Sequence, residues 1–122
     1  MVDPAADAET DCLFCRIVAG QVPAEVVRHS LRTVAFRDIA PAAPSHVLVV
    51  TREHYPDMAH LAAADPGLAG VLLADATEVA RAEQLDGDGY RIVLNTGAGA
   101  GQTVFHVHAH VLGGRRFGWP PG

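Results

Sequence analysis

Three histidines alternate through one short apolar run, Val104-Phe105-His106-Val107-His108-Ala109-His110-Val111-Leu112. Its β-branched, aromatic and apolar flanks predict a strand. Side chains at i, i+2 and i+4 share one face of a strand. His106, His108 and His110 are therefore expected in a row, with Phe105, Val107, Ala109 and Val111 turned to a core on the other face. A single histidine on an apolar element is ordinarily a core residue with its hydrogen bonds met. Three in register point to metal binding or to shared proton and phosphate chemistry.

The remaining chain limits what can surround that row. At 122 residues it predicts one domain, with a disordered tail over residues 1–10 and a single domain over 11–122 that includes a C-terminal tail, 115–122. Aromatic residues make up only 6 %, so the core must be mostly Ala, Val, Leu and Ile. A formal net charge of −5 argues against a nucleic-acid or membrane-surface binder, but leaves room for a small anionic ligand. The acidic, Ala-rich start resembles no signal peptide, and no apolar run reaches the ~18 residues of a membrane span, so a cytoplasmic protein is expected.

A short helix is predicted over Asp11 to Ala19, capped by Asp11 and ended by Gly20. Glu25 to His29 and Thr33 to Asp38 are short strand candidates, and His46 to Thr51 reads as a central strand. Tyr55 to Ala64 is ambiguous between loop and short helix. Asp65-Pro66 has the chemistry of a helix start. Leu68, Val71, Leu72, Val79 and Ala80 then recur at helical spacing, with Asp75, Glu78, Arg81 and Glu83 mostly outward. Tyr90 to Asn95 is another strand. Strands before and after one main helix predict an α+β fold with a mostly antiparallel sheet.

Three constellations carry chemistry. Gly97-Ala98-Gly99-Ala100-Gly101 precedes the histidines, and such a loop lets backbone N–H groups approach phosphate oxygens. It lacks the Lys-Ser/Thr ending of a P-loop. A neutral imidazole attacks phosphorus if a partner holds its other nitrogen protonated; His108, in the middle, is the candidate. Gln102 and Thr103 are placed to donate to phosphate or a leaving group. Cys12 and Cys15, spaced C-x-x-C, with two of the seven histidines would satisfy tetrahedral zinc, although spacing alone does not choose the histidines. A redox pair and inert buried thiols are the alternatives. Asp38, after Phe36-Arg37, is either a turn residue capping its own backbone or a carboxylate for ribose hydroxyls, with Phe36 and Ile39 against a base.

Together these residues resemble the histidine triad (HIT) family, in particular its Hint branch. The likeness rests on His106 to Leu112, on Gly101-Gln102-Thr103-Val104 before it, and on Gly113-Gly114-Arg115 with Trp119-Pro120-Pro121-Gly122 after it. Cys12-Leu13-Phe14-Cys15, Ala35 to Ile39, Ala43-Pro44-Ser45-His46 and Asn95 follow the family's order, so the likeness spans about residues 11 to 122.

The resemblance implies a HIT-like fold with about five strands. It implies a hydrolase acting at the α-phosphate of purine nucleoside monophosphates, cleaving phosphoramidates through a nucleotidyl-histidine on His108. His110 and His46 would support the site, and Asn95, Gly101, Gln102 and Thr103 would hold phosphate and leaving group. Asp38 would bind ribose, and Phe14, Phe36 and Ile39 the base. It further implies a homodimer in which Trp119 reaches the partner's site, and a structural zinc on Cys12, Cys15, His54 and His106. The alternatives are a dinucleoside polyphosphate hydrolase, and a regulatory module that binds a nucleotide or a partner without turnover.

Overall fold

Five short strands, most of them covered on both faces, pair into one sheet in the computed structural model, which describes residues 11–122. The segment expected to be disordered, 1–10, lies outside the described residues. Strands β1 (Val26–His29), β2 (Thr33–Arg37), β3 (Ser45–Thr51), β4 (Tyr90–Val93) and β5 (His108–Gly113) are ordered β1-β2-β3-β5-β4, and every neighbouring pair is antiparallel. The helices are α1 (Leu13–Val18), α2 (Met58–Ala64) and α3 (Pro66–Ala82), with a single 3₁₀ turn at Ala98–Ala100. The expected α+β architecture is the one observed, with the Val- and Leu-rich β3 in the centre.

The period of two sorts the sheet into two faces. Ala35, Val47, Val49, Ala109 and Val111 meet Leu68, Leu72, Ala76, Val79 and Ala80 of α3 in the main core. Val34, Phe36, Leu48 and Val50 point the other way and are covered by Phe14, Ile17 and Val18 of α1. Truncating one such leucine costs about 2–5 kcal/mol. Asp65 ends α2 and caps α3, its carboxylate accepting from the Leu68 N–H at 3.0 Å, with Pro66 in the first turn. Gly114 turns the chain out of β5 at φ +87°, where an added Cβ would sit 2.9 Å from Pro44.

Four expectations need correction. The histidine strand begins at His108, not Val104. Its ladder with β3 ends at the Val50–His108 pair, because β3 stops at Thr51 and the chain turns away, Arg52 N–H bonding to Arg32 O. Without a partner, 104–107 stay out of the sheet, and Phe105 is 50 % exposed rather than in the core. Helix α1 is capped by Cys12, not Asp11; the Cys12 sulfur accepts from the Cys15 N–H at 3.3 Å. Strand β4 stops at Val93, leaving Asn95 beyond it. Asp75 and Glu83 turn toward the sheet: Thr33 Oγ1 donates to Asp75 at 2.6 Å, and Arg37 grips Glu83 through both terminal nitrogens at 2.6 and 3.1 Å.

Ser45 also donates to Glu83, at 2.9 Å, so this carboxylate ties α3 to β2 and β3. The Arg37 guanidinium foremost holds its pKa below the usual carboxylate value. A depressed folded pKa stabilises above the unfolded value and ceases to do so as pH falls through the folded one. We therefore expect Glu83→Gln to lower stability by about 1–3 kcal/mol at pH 7. In urea melts the difference from wild type should shrink at pH 3; a pH-independent difference would contradict this pairing.

Candidate functional site

Because 104–107 leave the ladder, His106 lies just beyond its end while His108 and His110 stay on it. His106 is fully buried, and its Nε2–H donates to Thr51 O at 2.7 Å. Burial holds its pKa down to about 4, so the ring is neutral and Nδ1 carries a bare lone pair. That lone pair meets Cys12 Sγ at 3.3 Å, Cys15 Sγ at 3.4 Å and His54 Nδ1 at 3.2 Å, and Cys15 Sγ lies 3.6 Å from His54 Nδ1. All four ligand atoms lie within 4.8 Å of one another.

One lone pair cannot accept from three neighbours well. The separations instead match the edges of a ligand tetrahedron around zinc, about 3.3 Å between nitrogens and about 3.6 Å between nitrogen and sulfur. Burial also lowers the pKa of His54, which keeps it neutral and able to ligate. Two cysteines and two neutral histidines, with Nδ1 of both rings turned to the thiols, fit a zinc ion. Each comes from a different part of the chain: the cap of α1, its first turn, the loop after β3, and the segment before β5.

The carbonyl of the same His106 accepts from His108 Nδ1–H at 2.7 Å. His108 Nδ1 is thus protonated and Nε2 carries the free lone pair. Burial pushes the His108 pKa down, and the residue is 9 % exposed. It stands edge-on to Phe14, with centroids 5.1 Å apart, and 4.9 Å from the His110 ring. Phe14 in turn meets Phe36 at 5.3 Å. An aromatic flank therefore borders His108 on the β2 side.

A second chain of bonds orients His110. Ala42 N–H donates to His46 Nδ1 at 3.0 Å, so the neutral His46 is protonated at Nε2. That Nε2 lies 2.9 Å from His110 Nδ1 and 3.4 Å from Asp38 Oδ2. His110 Nδ1 is then the acceptor, and its proton is on Nε2. Burial holds His110 neutral, with its pKa down to about 4, and lowers that of His46. Asp38 Oδ1 accepts from the Ala40 N–H at 2.8 Å, the turn-capping bond, while its other oxygen faces His46.

The remaining candidates are placed as follows. Gln102 is buried; Gly97 N–H donates to its Oε1 at 2.9 Å, and its Nε2 donates to Pro56 O at 2.7 Å and Val104 O at 3.0 Å. Its amide holds the glycine loop in shape. Gly101, at φ +94°, and Thr103 are exposed, and Asn95 is half-buried. Ile39 is 99 % and Trp119 84 % exposed, both away from the histidines' immediate contacts. Sequence reasoning missed the main-chain groups of Thr51, His106 and Ala42 that set the three tautomers.

A family model described as "HIT domain" matches residues 19–117. An uncharacterised HIT-like protein of Synechocystis is 45 % identical over 112 residues, covering 92 % of this chain and 97 % of that one. The crystal structure of a HIT family hydrolase from Legionella pneumophila superposes with a TM-score of 0.87 at 44 % identity, covering 91 % of this chain and 99 % of the other. A zinc-bound histidine triad family protein from Mycobacterium smegmatis gives a TM-score of 0.78 at 32 % identity, over 93 % of this chain and 81 % of the other.

The bond pattern makes a tautomer prediction. Long-range ¹H–¹⁵N correlation spectra at neutral pH should show His108 protonated at Nδ1, and His46, His106 and His110 at Nε2. A His108 protonated at Nε2 would remove the lone pair that the geometry assigns it.

Proposed function

The chain belongs to the HIT family, and on that premise we propose that it is a nucleotide hydrolase cleaving phosphoramidates at the α-phosphate of purine nucleoside monophosphates. The observation carrying this reading is the 2.7 Å bond from His108 Nδ1–H to the His106 carbonyl, which leaves Nε2 free to attack.

In the proposed reaction His108 Nε2 forms a bond to phosphorus while the P–N bond breaks. The nitrogen, protonated beforehand, leaves as a neutral amine, and His108 becomes a nucleotidyl-imidazolium whose Nδ1–H still donates to the His106 carbonyl. Water then attacks phosphorus, the His108–phosphorus bond breaks, and the water's proton passes to solvent. His110 Nε2–H is oriented through His46 to donate to a phosphate oxygen. Asp38 takes the ribose hydroxyls. Phe14 and Phe36 offer ring edges to the base, with Ile39 beside them. Asn95, Gly101 and Thr103 attend phosphate and leaving group, and Gln102 acts there by holding their loop. A second copy of the chain, pairing along the open edge of β4, would bring Trp119 to its partner's site.

Zinc on Cys12, Cys15, His54 and His106 would cross-link α1 to the segment before β5. This favours a reducing compartment such as the cytoplasm, where both thiols stay available.

His108→Ala should lower phosphoramidate turnover by about a thousandfold or more while nucleotide monophosphate still binds. Turnover near that of wild type would remove His108 from the role. Cys12→Ser with Cys15→Ser should lose one zinc per chain by elemental analysis and melt lower by roughly 5 °C or more. A wild-type protein that is metal-free yet equally stable would overturn the zinc assignment.

A further inference from the structure

Of the four ligands assigned to zinc, only the two cysteines come from one element. Cys12 caps α1 and Cys15 lies in its first turn. The Cys12 carbonyl accepts from the Arg16 N–H at 3.1 Å, and the Cys12 sulfur folds over to accept from the Cys15 N–H at 3.3 Å. Positions three apart on a helical turn have Cα atoms roughly 5 Å from each other, within the span of a disulfide. The two sulfurs already lie within 4.8 Å of one another. Joining them takes local rotation of two side chains, whereas His54 and His106 come from remote segments.

The pair is also unequal. Cys12 is the less buried of the two and stands between Asp11 and Leu13, both exposed, while Cys15 is buried. An oxidant that reaches Cys12 therefore meets a sulfur with a second one beside it. Such a neighbour turns the first oxidation product into a disulfide before further oxygen is added, which keeps the chemistry reversible.

Two contacts carry the state of this turn to His108. Cys12 Sγ and Cys15 Sγ meet the His106 ring at 3.3 and 3.4 Å, and the carbonyl of that residue holds His108 Nδ1–H. Phe14, between the cysteines in sequence, stands edge-on to His108 at 5.1 Å. The fold itself has other support, since Phe14, Ile17 and Val18 pack on Val34, Phe36 and Leu48. Loss of the metal thus loosens the seat of His106 and leaves the sheet intact.

We propose that Cys12 and Cys15 form an oxidation site for hydroperoxides, which switches the histidine centre off through a reversible disulfide. This rests on the zinc reading above. The Cys12 thiolate attacks the terminal oxygen of the peroxide. An S–O bond forms, the O–O bond breaks, and the other oxygen leaves with a solvent proton as an alcohol, or as water from hydrogen peroxide. The Cys15 thiolate then attacks the Cys12 sulfur. The S–S bond forms and hydroxide leaves, taking up a second proton. The two sulfurs together lose two electrons, and the peroxide gains them. A disulfide has no thiolate to ligate, and His54 and His106 alone are half of a tetrahedral set, so the metal is released. A thiol reductant with zinc restores the first state.

The test treats the zinc-loaded full chain with a slight excess of hydrogen peroxide. A chromogenic chelator should report release of about one zinc per chain, and non-reducing intact mass a loss of about 2 Da from the reduced, metal-free chain. Peptide mapping should join Cys12 to Cys15. The His108 ring signals should shift in long-range ¹H–¹⁵N spectra, and phosphoramidate turnover should fall by about tenfold to a hundredfold. Dithiothreitol with zinc should reverse every change, which separates the switch from methionine oxidation. Cys15→Ser, without the second sulfur, should instead collect a Cys12 sulfenic acid that dimedone traps; if that variant does not fold, the wild-type mass decides. Three results overturn the proposal: zinc and both thiols retained, sulfinic acid at Cys12 in place of the disulfide, or a disulfide that leaves the His108 signals unmoved. If wild type takes up no zinc, the zinc reading has failed. The mass and the His108 spectrum of the metal-free chain then decide the switch: a reversible disulfide that shifts His108 supports it, and anything else overturns it.

Discussion

The peptide unit and ring of His106 join the two chemical centres of this molecule. Its Nε2–H goes to Thr51 O, which turns Nδ1 into the cysteine cluster, and its own carbonyl receives His108 Nδ1–H. Both bonds follow from where the ladder ends. Thr51 has no partner on β5, so its carbonyl is available, and His106 lies just outside the strand, close enough to take it. A buried imidazole without such a partner would cost a few kcal/mol. Here one residue meets its own needs and sets its neighbour's tautomer.

The backbone thus gives adjacent imidazoles of the row opposite protonation patterns. His108, held by the His106 carbonyl, presents a lone pair at Nε2. His110, reached through the Ala42 amide and His46, presents a proton at Nε2. Burial keeps both rings neutral, so the pattern is kept at neutral pH. A low-dielectric surrounding strengthens each of these bonds and penalises any that is missing, which makes the arrangement rigid rather than approximate. Among the described residues no buried side-chain nitrogen or oxygen lacks a partner.

Much of the architecture is legible in the chain itself. A continuous Val- and Leu-rich run marks β3, alternation marks β5, and Asp65-Pro66 marks the start of α3, because pattern and capping are local. The limit of β5 is not local: it depends on where β3 turns away, and residues 104–107 look as strand-like as those that follow. Asp75 and Glu83 look solvent-facing on a helical wheel, since their partners Thr33, Arg37 and Ser45 lie on distant strands. Cys12 and Cys15 announce a cluster, but spacing cannot pick two histidines out of seven. The tautomers have no sequence signature, because Thr51, His106 and Ala42 act through main-chain groups that every residue type offers.

The account stands or falls on a covalent bond between His108 and phosphorus. Two successive in-line displacements must restore configuration at that atom, whereas direct attack by water inverts it. The most direct measurement is hydrolysis, in oxygen-18 water, of a nucleoside phosphorothioamidate of known configuration at phosphorus. Net retention is the predicted result; net inversion would contradict the histidine intermediate.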